Sequence, residues 1–547
     1  MTHFFRAAFY WFILGWSGLF SYAQPPSPAS RVVVLVNSND PKSIELGQYY
    51  AQQRGIPLAN VIELPLSAAE TISWREYVDS LHNPLLNQLL ADGWIRGVKG
   101  LEVDAVGREN MALAVHSIHY LVSMRGVPLR IAHAAEFALN GGAEIPAALR
   151  FNRAAVDSEL TLLLAPANAA TLAFVPNPYF QQSNPSAHAK ARVIPVSRLD
   201  GPKSSDVVRL IDRSLLGEAQ GLMGRAYIDL GGPHKKGDVW LEAAGDAAKA
   251  AFFDTDFERT GRAMGDLDRF DAPAIYMGWY RAHADGPWRE PRWTVPVGAI
   301  GFHLHSFSAA SVRDVKRGWL AAFIAQGYCA TVGNVYEPYL EYSHRPDLLL
   351  QNLLAGHSFG EAILYSLPVF SWAGVAIGDP LYRPFKLGLS QQLAQAQDSQ
   401  ADPYLILRQL NRIQLQSGDA AALQFARQQF SHNPSLALAY RLAQLYQASG
   451  QNAAAVDALR IVGYMTVFAA DERVLVQQIA ELLQQIERPK LALSLYQRLL
   501  QSPSLNSKLR LQLLDSGRQL AQLMGERQLA AHWGNQLRSL NVPPAVK

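Results

Sequence analysis

The chain has 547 residues, of which 49% are hydrophobic and 17% charged, a balance that excludes a disordered or low-complexity protein. Its net charge of +3 is too even to point to nucleic acid or to an anionic membrane surface. The single cysteine, Cys329, excludes an intrachain disulfide, so packing alone must hold the fold.

The first 23 residues read as a secretory signal. Arg6 supplies the positive start, Ala7 to Phe20 carries no charge, and Ser21-Tyr22-Ala23 offers small residues at the positions a signal peptidase reads. Pro25, Pro26 and Pro28 then block helix continuation. The apolar run is short of the roughly 20 residues a membrane span needs, and no later stretch is apolar enough to cross a bilayer. The expected destination is the periplasm or the outside of the cell, with no integral membrane segment after cleavage.

From there strand and helix signals alternate. Arg31 to Asn37 reads as a buried parallel strand, β-branched and ending in a polar loop. Ser43 to Arg54 reads as a helix stopped by Gly55-Ile56-Pro57. Further strands are expected at Val61 to Leu64, His119 to Met124, Ala191 to Ser197, Arg225 to Leu230, Ala274 to Met277, Val297 to His305 and Ala330 to Val335. Helices are expected at Ser204 to Glu218, Ala243 to Ala251 and Ser311 to Gln326. This alternation predicts an α/β fold with a mainly parallel sheet flanked by helices. Near residue 390 the composition turns to Leu, Ala and Gln and strand signals vanish. A loose repeat follows: Ser417-Gly418, Ser449-Gly450, Ile486-Glu487-Arg488-Pro489 and Leu523-Met524-Gly525 hold similar places before helical stretches. The pattern is similar to tetratricopeptide-type hairpins, with an ordinary helical bundle as the alternative. The expected division is signal peptide 1–23, α/β domain 24–390 with a candidate break near 190–220, linker 391–402 and helical domain 403–547.

Ligands of parallel α/β sheets bind beyond the carboxyl ends of the strands. Gly278-Trp279-Tyr280 follows one such end, where Trp279 and Tyr280 can line a pocket and His283 can act as acid or base. A second loop holds His303, His305, Ser306 and Ser308, giving two candidate nucleophiles beside histidines. The hydrolase signature Gly-x-Ser-x-Gly is absent. His303 and His305 alternate with Leu304 and could begin a zinc site, but only Asp314, Glu337 and His344 offer a third ligand, so neither metal nor cofactor is expected. A third loop places Asn334 and Glu337 past a strand end, while Cys329 fits a buried small hydrophobe better than a nucleophile. Arg125 and Asp200 sit on turns after strands and are further binding candidates, whereas Asp379 fits a salt-bridged structural turn.

The order helix, Gly327 to Glu337, Leu354 to Ala362, then Gly378-Asp379-Pro380 resembles the closing section of caspase-like peptidases, above all the gingipain and separase-related branches. Residues 31 to 390 also resemble an uncharacterised family of exported bacterial proteins, on Asn37, Tyr49-Tyr50, Arg54-Gly55-Ile56-Pro57, Arg125-Gly126-Val127-Pro128, Ser197 to Gly201, Gly278-Trp279-Tyr280, His305 to Ser308 and Tyr336-Glu337-Pro338. The first resemblance implies a caspase-like sheet, but Gly278-Trp279 and His305-Ser306 stand where those peptidases carry His-Gly and the nucleophilic Cys. The chain is therefore expected to be a binding or scaffold protein with a catalytically degenerate peptidase-like domain and a helical tail that meets a protein or peptide partner. The alternative is an exported hydrolase in which Ser306 or Ser308 is the nucleophile, His283 or His305 the base and Glu337 the orienting carboxylate.

Overall fold

The computed structural model describes residues 27–137, 145–165, 172–289, 295–396 and 401–540. The leader at 1–23, part of the expected linker (397–400) and positions 541–547 lie outside the described residues.

Ten strands build one sheet: β1 (Val32–Asn37), β2 (Val61–Leu64), β3 (Tyr120–Met124), β4 (Val196–Leu199), β5 (Arg225–Asp229), β6 (Thr255–Glu258), β7 (Pro273–Gly278), β8 (Ile300–His303), β9 (Ala330–Asn334) and β10 (Gly374–Gly378). Their order is β6-β5-β7-β8-β9-β10-β4-β3-β1-β2. Every pairing within β4-β3-β1-β2 and within β6-β5-β7-β8-β9 is parallel. The two runs are joined by β10, which is antiparallel to β9 and meets β4 at the single register pair Arg198–Ile377.

Inner strands such as β1, β7 and β8 read as largely apolar runs because both faces are covered. Val32, Val34 and Val36 pack beneath α1 (Pro41–Arg54), while Val33 and Leu35 turn toward α2 (Asn83–Ala91). The first face also carries α3 (Ser204–Gln220) and, after α4 (Lys235–Ala250) on the opposite face, α5 (Leu320–Gln326). The opposite face further holds α6 (Pro346–Leu354) and α7 (Phe359–Ser366). Local chemistry sets the bounds of α1. The Asp40 side chain caps its start by accepting from Lys42 N at 3.0 Å, Pro41 occupies the first turn, and Gly55 ends it at φ 65°.

Both parallel runs wind the same way. Each starts at an inner strand (β1, β5), steps outward once (β2, β6) and returns past its start toward the centre (β3, β7). The helix after β1 lies on one face and the helix after β5 on the other. With right-handed crossovers, that relation is an approximate two-fold axis along the strands. It creates two reversal points, β1/β3 and β5/β7, where such sheets open a crevice.

Four expectations need correction. Ala187–Arg192 is a helix capped by Ser186, and the strand begins only at Val196. Ser311 to Trp319 is a loop, so the helix there is only Leu320–Gln326. The strand Thr255–Glu258 was not foreseen, being short and half-exposed. Ala330–Asn334 is not the last strand: Gly374–Gly378 follows it and lies between the two runs.

Beyond the sheet the chain is helical: α8 (Pro403–His432, two helical stretches broken at Gly418), α9 (Leu436–Ala448), α10 (Asn452–Leu459), α11 (Arg473–Gln485), α12 (Pro489–Leu500), α13 (Ser507–Leu523) and α14 (Arg527–Leu540). The helices pack around a single apolar core, α11 reaching back to α9. The loose sequence repeat acquires a physical meaning here. Gly418, Gly450, Glu487 and Gly525 take φ values of 83°, 74°, 61° and 78°. Each breaks the helical run at a positive φ, which the three glycines adopt at no steric cost and Glu487 does not. The helical region is fastened to the sheet domain by Tyr404, which donates to Asp271 Oδ2 at 2.6 Å. Arg408 donates to the Ala251 and Leu222 carbonyls and stacks 4.0 Å over Phe253.

Candidate functional site

The first reversal point is closed by its own residues. Asn37 donates from Nδ2 to Gly126 O at 2.9 Å, and its Oδ1 accepts from Asn39 N and Leu66 N, each at 3.0 Å. A Cβ on Gly126 would lie 2.9 Å from Ser43, so no room remains for a ligand. Arg125 is spent on the Gly201 carbonyl at 3.2 Å and on Asp40 at 3.8 Å. Asp200 is fully buried and accepts from Gly201 N at 2.8 Å and from Arg198 at 3.3 Å. Both candidates therefore hold turns together rather than face an open cleft.

The second reversal point is different. Behind it, Asp238 on α4 accepts from Gly231 N at 2.8 Å, Gly232 N at 3.2 Å and Trp279 Nε1 at 2.8 Å. Those bonds seat the Trp279 indole against Gly232 and Gly237, where any Cβ would come within about 2.1 Å of the ring. The Trp279–Tyr280 peptide is cis. Trp279 is thus a buried wall, whereas Tyr280 is exposed and packs on the His305 ring at 4.3 Å.

Around Tyr280 four of the expected residues come together. His305 Nδ1 donates to Ser306 O at 2.5 Å, which leaves Nε2 as the basic nitrogen. Burial lowers the pKa of this ring, so it is neutral near pH 7. Ser306 Oγ donates to Glu337 Oε2 at 2.5 Å, and Glu337 Oε1 accepts from Tyr339 N at 3.0 Å. Asn334 donates weakly to His305 O at 3.5 Å. Between the two serines Phe307 sits at φ 57° with its ring exposed. Tyr280, Phe307 and Tyr339 therefore form an exposed aromatic rim about the Ser306–Glu337 pair.

The remaining candidates are placed elsewhere. Ser308 is fully buried and accepts from Asn334 N at 3.0 Å, so its hydroxyl braces two strand exits. His283 is on an exposed turn, where its Nδ1 accepts from Gly318 N at 3.0 Å. Among the described residues neither serine hydroxyl is hydrogen-bonded to a histidine. His303 is not available to a metal: Nε2 accepts from Arg281 N at 2.9 Å, and Nδ1 pairs with Tyr276 at 3.1 Å. His344 is buried on Ser366 and Asp314 caps its own turn. No group of three or more His, Cys, Asp or Glu side chains among the described residues is disposed to hold a metal ion. Cys329 is buried, and burial pushes its thiol pKa up, away from thiolate chemistry. Asp379 receives Tyr50 at 2.8 Å and the Arg54 guanidinium.

Sequence reasoning missed the chain behind His303. Its neutral ring stacks 3.6 Å over Trp319, Tyr276 links it to Asp229, and Asp229 Oδ2 also accepts from Met264 N at 3.0 Å. Burial raises the Asp229 pKa to about 7. Its position at the end of β5, matching Asn37 at the end of β1, was the available signal.

The site and fold together define a doubly wound α/β protein with a helical C-terminal region. No family model matches the chain, and no curated protein matches it. Among solved structures it is similar to TPR-like repeats of a protein from Podosopora anserina described as a kinesin light chain. The match has 20% identity and a TM-score of 0.21 and covers 28% of this chain and 81% of that one. A point variant of the same protein matches at 19% identity and the same TM-score.

Proposed function

We propose that the protein is an exported binding protein, with a catalytically degenerate caspase-like α/β domain that holds a peptide at its strand ends and a helical tail that presents a second surface to a protein partner. The observation that carries this reading is the Ser306–Glu337 pair: the half-buried hydroxyl at the strand ends is held by a carboxylate, and among the described residues no histidine is bonded to it. The aromatic rim of Tyr280, Phe307 and Tyr339 suits recognition, since rigid rings bury much area at little entropic cost. The caspase-like part of the reading is supported by the doubly wound, mainly parallel sheet. Export rests on the three-part pattern of residues 1–23, and amino-terminal sequencing of the mature protein should begin at Gln24. The test of binding is capture of partners from an exported-protein fraction. Replacing Tyr280, Phe307 and Tyr339 together by Ala should release the peptide partner, and Ser306→Ala should retain it; retention by the triple variant sinks the reading.

A second reading is favoured by the 2.5 Å Ser306–Glu337 bond itself. A serine whose proton is already directed at a carboxylate can act as a nucleophile with Glu337 as base, making the protein a hydrolase. Labelling of Ser306 by a fluorophosphonate, abolished in Glu337→Gln, would select it over the binding reading.

A further inference from the structure

The aromatic rim of the strand-end site does not stop at Phe307. Phe307 N donates to Tyr336 O at 3.2 Å, and the two rings meet edge to face with centres 6.4 Å apart. Tyr336 is anchored through its hydroxyl, which donates to the Ile131 carbonyl at 2.9 Å. The Tyr339 hydroxyl donates to Ala148 O at 3.0 Å, which brings the segment carrying Arg153 beside the rim.

Two arginines share the Tyr336 ring. Arg153 Cζ lies 5.2 Å from its centre and 4.5 Å from that of Phe151, and Arg130 Cζ lies 5.9 Å from Tyr336. Arg130 donates to Thr71 Oγ1 at 2.9 Å and to Ala310 O at 2.6 Å, both uncharged acceptors. Arg153 is half-buried, its N–H groups reach solvent, and among the described residues its guanidinium has neither a hydrogen-bond acceptor nor a carboxylate partner. Glu337, next in sequence to Tyr336, is already held by Ser306 and by Tyr339 N. Two positive charges therefore stand at one tyrosine with no anion paired to either among the described residues. The two rings hold the flat face of the Arg153 guanidinium and leave its N–H edge free. That fixes the plane before a ligand arrives and suits the paired oxygens of a carboxylate.

We propose that Arg153, backed by Arg130, anchors an acidic side chain of the bound peptide, so that the site selects sequences carrying Asp or Glu beside the residue that packs on the rim; this rests on the peptide-binding reading above. A lysine at that place would meet two like charges, and an amide would forgo the ion pair. The test offers the immobilised full chain a pool of random heptapeptides, acetylated and amidated so that their termini carry no charge, and sequences what is retained. Asp and Glu should be enriched over Asn and Gln by at least roughly threefold, the weight of a partly exposed ion pair. Screening in about 1 M salt should erase that enrichment in the unaltered chain. Arg153→Gln should lose it, Arg153→Lys should keep part of it, and Arg153→Glu should enrich Lys and Arg in its place, a reversal that a merely structural arginine would not produce. Retained peptides without acidic enrichment, or an enrichment that survives in Arg153→Gln, overturn the acidic anchor and leave the peptide-binding reading standing. A pool from which nothing is retained overturns both.

Discussion

Replacing Arg198 by Met should destabilise the sheet domain by about 3–5 kcal/mol, the range for removing one partner of a buried ion pair. Arg198 is fully buried. Its guanidinium grips Asp157 with two bonds, at 2.9 and 2.7 Å, and donates to the Val127 and Pro128 carbonyls at 2.9 and 2.7 Å. It also reaches Asp200 at 3.3 Å. Methionine fills much of the same volume, so the loss is almost wholly electrostatic: two carboxylates and two carbonyls are left in a dry interior. The cost is a large share of the roughly 5–15 kcal/mol that separates folded from unfolded domains. Scanning calorimetry of the sheet-domain transition measures it. Arg198→Lys, which keeps the charge but not the fork, should fall between the two, and Arg198→Met with Asp157→Asn should recover part of the loss. A change below about 1 kcal/mol for Arg198→Met would refute the reasoning, since surface ion pairs lie in that range.

Asp229 gives a pH signature. Its folded pKa of about 7 lies above the ordinary carboxyl value of 3.8, so between these values the unfolded chain has released the proton and the folded one retains it. Stability should fall as pH rises from about 4 to about 7, by at most about 4 kcal/mol, and level off above; urea titrations of Asp229→Asn should lack this slope. Gly237→Ala would put a Cβ 2.0 Å from the Trp279 ring, so it should cost about 1–3 kcal/mol and shift the tryptophan emission. Glu487→Gly relieves a left-handed residue at a helix end and should stabilise the helical region by about 0.5–1 kcal/mol, read as a higher melting temperature.

The sheet was legible where it is buried on both faces. Val32 to Val36 and Ala274 to Met277 announce themselves because a parallel strand covered on both faces needs side chains that are apolar in both directions. Ala191 and Arg192 misled, since the apolar Val193-Ile194 beside them suggests a strand, whereas they close a helical turn capped by Ser186. Gly374 to Gly378 was missed because glycines at both ends hide a strand that its neighbours, not its propensity, make. At the site, the loops were readable from their place after strands, but the pairing was not. Ser306 and Glu337 are 31 positions apart, and only the adjacency of β8 and β9 brings them into contact. The role of Ser308 was equally hidden, because a serine bracing a backbone amide and a serine facing solvent look alike in one dimension.

The central position of β10 sets a timetable. This last strand of the sheet lies between β4 and β9, so both present bare, hydrogen-bond-hungry edges until the chain up to Gly378 has emerged where it folds. Until then any half-sheet that forms lacks its keystone and is exposed to pairing with other chains. Messages truncated before this strand should yield aggregating fragments rather than smaller working versions, and the unfinished protein should depend on chaperones that shield strand edges more than on those that bind apolar helices.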